Sequence, residues 1–142
     1  MTYPKVLFAA TTVLVVFTSL AAHAGDVKVI ANTSVSAASV SADELKNVFL
    51  ETRNRLADGS HVQPVVAKGG PAHEAFLREY LGKNDSGLQA YYRSLVFTGK
   101  ASMPKQAGSD AEMVAYVART KGAIGYVSTQ ARTEGVKVLD VK

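Results

Sequence analysis

Val62-Gln-Pro-Val-Val-Ala-Lys-Gly-Gly-Pro-Ala-His-Glu-Ala-Phe-Leu-Arg-Glu-Tyr-Leu-Gly82 is the stretch whose reading decides the fold. Val62 to Ala67 is apolar and rich in β-branched residues, which predicts a strand. Gly69-Gly70 breaks it, and Pro71 has the fixed φ that suits the first turn of a helix. From there Phe76, Leu77, Tyr80 and Leu81 form an inward stripe, while Glu74 and Arg78 pair outward one turn apart. Gly82 is the natural stop, because only glycine takes the left-handed C-terminal conformation at little cost. The stretch is therefore strand, glycine turn, helix.

The same grammar extends outward. Asp26 to Ala31 alternates and predicts the first strand, and Asn32 to Val40 reads as a Ser/Ala-rich loop. Ser41 and Glu44 have the spacing of a capping box, with Val40 and Leu45 at the positions of a hydrophobic staple. Leu45, Val48 and Phe49 mark the buried side of the helix that follows. Arg53 to Ser60 is polar and ends in the turn signal Asp58-Gly59. Beyond Gly82, a third helix starts at Asp85 or Ser86, with its stripe on Leu88, Tyr91, Tyr92, Leu95 and Val96. Gly99 to Gly108 reads as loop. Ser109 and Glu112 repeat the capping box, opening a helix that buries Met113, Val114 and Val117. Arg119 and Lys121 sit near its end, where the helix dipole favours cations, and Gly122 closes it. Ala123 to Val127 and Val136 to Val141 are the remaining strands. Strands interleaved with four helices predict a layered α/β domain with a mixed sheet.

Residues 1–24 read as a signal peptide. Lys5 precedes the uncharged run Val6 to Ala22, and Ala22-His23-Ala24 places small residues where a signal peptidase cuts. The run approaches the length of a membrane span, but threonines and alanines dilute it and the cleavage site follows directly. The expectation is a mature domain over residues 25–142, without a membrane span after cleavage. The chain has no cysteine, so stability in an oxidising compartment must come from packing rather than disulfides. The periplasm fits best.

Charge narrows the function. The 142-residue chain carries 16 Lys and Arg against 12 Asp and Glu. The basic residues are scattered, without the patch that nucleic-acid binding requires. His61 and His73 lack metal-ligand spacing. Neither a Gly-x-Ser-x-Gly elbow nor a phosphate loop with its lysine is present, so nothing points to an enzyme or to a cofactor.

Three ordered stretches carry a family resemblance: Leu45-Lys-Asn-Val-Phe-Leu50 with Asp58-Gly59, Phe76-Leu-Arg-Glu-Tyr-Leu81, and Gly122-Ala-Ile-Gly-Tyr-Val127. Together they resemble one lobe of the phosphate-type (type II) periplasmic substrate-binding proteins of ABC transporters. Leu95-Val-Phe-Thr-Gly-Lys100 resembles the short, single-lobe members. The resemblance spans roughly residues 26–128 and implies a single three-layer periplasmic-binding-protein-like lobe. It further implies a small oxyanion such as phosphate as ligand.

The turn Lys68-Gly69-Gly70-Pro71-Ala72-His73 is then the candidate site. A strand-to-helix turn presents free N–H groups and the positive end of a helix together. Glycines admit an anion to the backbone, Lys68 adds charge, and His73 adds a donor when protonated. In the family this turn carries an arginine followed by Ser-Gly-Thr, a place that Gly70-Pro71-Ala72 occupies here. The two hydroxyls are absent, Pro71 lacks an N–H, and Lys68 offers a point charge instead of a guanidinium fork. Two readings stay open at this point. In one, Lys68, Gly69, Gly70, Ala72 and His73 hold an oxyanion. In the other, the turn merely starts a helix and the lobe is an interaction module. Its uncovered cleft face would then meet a second copy about a two-fold axis or another envelope protein.

Overall fold

Alternation along the first strand, β1 (Val27–Ala31), assigns the two faces of the sheet. The computed structural model describes residues 27–142; the expected signal peptide lies outside the described residues. Val27, Val29 and Ala31 point into one apolar cluster, and Ile30 into another on the opposite side. The further elements are β2 (Ser39–Val40), α1 (Ala42–Phe49), β3 (Gln63–Ala67), α2 (Pro71–Phe76), α3 (Asp85–Phe97), β4 (Lys105–Ala107), α4 (Asp110–Arg119), β5 (Ala123–Ser128) and β6 (Lys137–Val141). A π-helical segment, Leu77–Leu81, continues α2 without a break. The six strands form one mixed sheet in the order β2-β6-β1-β5-β3-β4. β1 runs antiparallel to β5 and β6. β3 runs parallel to both β5 and β4.

Helices α1 to α3 cover one face and α4 the other, giving the three layers expected from the sequence. On the first face Leu45, Phe49, Phe76, Leu77, Leu88 and Tyr92 pack on Val29, Val66 and Tyr126. Side chains of this size contribute roughly 1.5–3 kcal/mol each when fully buried. On the second face Met113 and Val117 of α4 pack on Ile30, Val65 and Val127. Gly125 makes that contact possible: a Cβ there would stand 2.6 Å from Met113 Sδ.

Local signals act largely as read. In the first capping box the Glu44 amide donates to Ser41 Oγ at 3.1 Å, and Ser41 N donates to Glu44 Oε2 at 2.7 Å. The second is shifted by one residue. Glu112 N donates to Ser109 Oγ at 3.1 Å, but the Glu112 carboxylate takes its bond from Gly108 N at 2.9 Å. Gly82 ends the second helical unit at φ 62°.

Three expectations are corrected. The segments read as loops, 32–40 and 99–108, contain the edge strands β2 and β4. Neither strand is long enough to show periodicity; each forms because a neighbouring strand offers an open ladder. The helix expected over 71–81 widens to a π-helical turn after Phe76, keeping Leu77 and Leu81 buried. Val96, expected inside, is 45% exposed, and the buried part of the α3 stripe ends at Tyr92 with Tyr91 and Leu95 half-buried. The hydroxyls of Tyr91 and Tyr92 donate to the carbonyls of Leu50 and Phe49, docking α3 on the end of α1.

Candidate anion site

The parallel strands β3 and β4 each turn into a helix at the same end of the sheet, and the two turns meet. Lys68 N donates to Ala107 O at 2.9 Å, so the first residue after β3 is tied to the last residue of β4. The α2 start follows through Gly69 and Gly70; the α4 start follows through Gly108 and Ser109. A cavity of about 340 Å³ lies between them, bordered by Gly69, Gly70, Ser109, Asp110, Ser128 and Gln130. Open α/β sheets generally bind ligands at this end of their strands, in the crevice beside the strand-to-helix turns.

The sequence-predicted residues divide into three kinds. Gly69, Gly70 and Ala72 border the cavity as expected. Gly70 sits at φ 100° and ψ 171°, where a side chain is strained. A Cβ on either glycine would meet nothing within 4 Å, so the backbone here faces open space. No side chain caps α2. Pro71 has no N–H, and the amides that follow it are left for water or a solute. Lys68 is exposed and does not border the cavity. Its Cδ lies 4.0 Å from where a Cβ of Gly108 would be, so the side chain leans toward the α4 start.

His73 also borders the cavity, but from within the core. It was expected to offer a donor to the anion, but it is 1% exposed and both ring nitrogens are engaged. Nδ1 lies 2.5 Å from the Tyr126 hydroxyl and Nε2 lies 2.7 Å from Asp85 Oδ1. The Tyr126 hydroxyl also accepts from Ala67 N at 3.0 Å. Burial pushes the Tyr126 phenol well above its ordinary value, while the Ala67 N–H pulls it partly back. Tyr126 is thus a neutral hydroxyl set between the Ala67 N–H and His73 Nδ1, and the other ring nitrogen of His73 meets Asp85. The ring of Phe76 stacks on Tyr126 with the planes 6° apart, and Phe49 meets Phe76 edge-on at 4.8 Å. This cluster ties β3, β5, α2 and α3 together directly behind the turn. His73 therefore braces the turn from behind, with both ring nitrogens already engaged.

Asp110 and Ser128 escaped the sequence reading. Ser128 Oγ donates to Asp110 Oδ2 at 2.5 Å across the cavity wall. The first turn of α4 was explained by its cap alone, and the pairing of β4 with β3 that brings it to the glycine turn is a long-range contact. The other histidine among the described residues, His61, is exposed where the chain enters β3, at the opposite end of that strand.

The fold matches solved structures of proteins described as phosphate transport receptors or phosphate-binding proteins. One is an ABC-type phosphate transport receptor from Vibrio cholerae, with a TM-score of 0.53 and 11% identity. A second, assigned as a phosphate ABC transporter substrate-binding protein with bound phosphate, comes from Clostridium perfringens, at 0.60 and 15%. A third, assigned as a phosphate binding protein, comes from Planctomyces limnophilus, at 0.55 and 19%. The matches cover 81–82% of this chain but only 41–45% of those chains. No protein-family model matches the sequence, and no curated protein sequence matches it. The chain thus has the fold of one lobe of a phosphate-type substrate-binding protein. It spans less than half the length of the proteins that share that fold.

Proposed function

We propose that the chain is an exported, non-enzymatic solute-binding lobe of the periplasm that takes phosphate or a related oxyanion between the starts of α2 and α4. The observation that carries this reading is the convergence of the uncapped, glycine-lined start of α2 with the α4 start on one cavity. Backbone amides of Gly69, Gly70 and Ala72 and the hydroxyl of Ser109 supply donors, and Lys68 adds charge from the side. The Asp110 carboxylate beside them disfavours a bare anion and favours one that carries a proton toward it. Hydrogen phosphate has such a proton at neutral pH; sulfate does not. Export rests on the leader read over residues 1–24, and among the described residues no helix is long and apolar enough to cross a membrane.

Calorimetry with phosphate and sulfate at neutral pH tests the reading. Saturable heat with phosphate, weaker with sulfate, is the expected outcome; no heat with millimolar phosphate overturns it. Lys68→Ala is expected to weaken phosphate binding by about two- to fivefold, the size of an exposed charge contribution, and to leave the melting temperature unchanged. A mass measurement in solution, with and without phosphate, tests whether a second copy closes over the cavity.

A further inference from the structure

At the opposite end of the sheet from the glycine turn, a cavity of about 500 Å³ opens beside the edge strand. Its walls are the segment after α1, the residues leading into β3, the residues leading into β4, and Tyr116 of α4. The volume falls within the range of about 300–1,000 Å³ typical of small-molecule sites.

The charge on these walls is one-sided. Arg53, Lys100 and Lys105 border the cavity together with His61, and Glu51 is the one carboxylate beside them. The single ion pair among the described residues is His73–Asp85. None of these cations is therefore held by a carboxylate within 4 Å, which leaves them free to pair with an external anion. Lys105 is also placed. Its Nζ lies 5.5 Å from the centroid of the Tyr116 ring, which Arg119 approaches at 5.5 Å as well. Such cation–π contact favours keeping the ammonium over the ring at the cavity wall.

Glu51 sets the cavity apart from an ordinary basic surface. It is the one residue other than glycine at positive φ among the described residues, at 60°. Backbone strain of this kind persists where surrounding structure enforces it and concentrates at binding sites. Its carboxyl is half-buried, and desolvation holds it above the usual carboxylate range. A carboxyl raised in this way opposes an incoming anion less than a fully solvated carboxylate does.

We propose that this cavity is a second anion site, separate from the α2–α4 cavity, for a small polyanion bearing two or more phosphate or carboxylate groups. One charge would satisfy a single cation; a ligand with several groups is needed to pair with Arg53, Lys100 and Lys105 together. The proposal does not depend on phosphate binding at the glycine turn.

The test is a two-dimensional amide NMR titration of the chain with tripolyphosphate and with citrate, at about 0.15 M salt to screen diffuse attraction. Saturable shifts confined to residues 51–54, 61–65 and 100–105 are expected. The double variant R53A/K105A should bind at least about tenfold more weakly, as expected for losing two charge-assisted contacts. Lys105→Gln alone should give a smaller loss. These side chains are exposed, so the variants should keep the parent's melting temperature. Lys68→Ala should leave this binding unchanged while weakening phosphate binding at the other cavity, so the two readings fail separately. Shifts that do not saturate below about 10 mM, shifts centred on residues 68–72 or spread over all lysine-bearing surfaces, or parent-like binding by R53A/K105A would each overturn the proposal.

Discussion

The turns after β3 and β4 lie side by side yet open their helices in opposite ways. At α4, Ser109 accepts from Glu112 N and the Glu112 carboxylate accepts from Gly108 N. The α4 start thus caps its Glu112 amide with its own side chain and ties Gly108 N to the same turn. At α2, Gly70 offers no side chain, Pro71 follows, and the amides remain open toward the cavity. A capped start stabilises its helix; an uncapped one keeps donors for a solute and must be held from behind. Here the hold is His73, buried between Tyr126 and Asp85. The difference teaches that the glycine turn is made rigid by what lies beneath it rather than by its own residues.

The severest way to break this contrast is to remove the hold. His73→Ala deletes a buried ring and strands the Tyr126 hydroxyl, with an expected loss of about 2–4 kcal/mol in urea unfolding. Ser109→Ala and Lys68→Ala should not approach that size. Next comes Gly70→Ala, which places a Cβ at φ 100°. Open space around that Cβ does not remove the backbone strain, so about 1–3 kcal/mol should be lost, with phosphate binding weakened as the turn relaxes. Ser109→Ala then tests the capped partner. It should cost about 1 kcal/mol of stability.

The smallest effect concerns pH and sharpens the comparison through the third capped start, that of α1. The bond from Ser41 N, more than any other contact, holds the Glu44 carboxyl below its usual range. A carboxyl whose folded-state pKa is lowered adds stability above its unfolded value, near 4.5. That stability is lost as pH falls through the folded value. Glu44→Gln should flatten the dependence of unfolding free energy on pH in that acidic window while leaving the uncapped α2 start unaffected. Equal slopes for parent and variant would show that this cap carries no charge-dependent stability.

Short-range chemistry was legible wherever one residue acts on its near neighbours. Ser41 with Glu44, Gly82 as a helix stop and the stripe around Leu88 and Tyr92 all operate within one or two helical turns. Edge strands β2 and β4 were not legible, because Ser39–Val40 and Lys105–Ala107 pair only when a distant strand presents its open ladder. Val96 was misplaced for a related reason: helical periodicity assigns a face, but the extent of the neighbouring layer decides how far along that face burial reaches. Of the site, the glycine turn was visible and Asp110 was not, since no local pattern states that residues 69 and 110 border one cavity.

By itself the sequence determined the α/β class, the order of most elements and the place of the glycine turn, since periodicity, caps and turn residues act locally through the backbone. Only the tertiary structure decided that His73 is a buried strut, that two helix starts share a cavity, and that Arg53, His61, Lys100 and Lys105 from three segments gather at the other end. Those facts depend on contacts between residues far apart in the chain, and hydrophobic burial and strand pairing bring them together without leaving a mark in any short stretch.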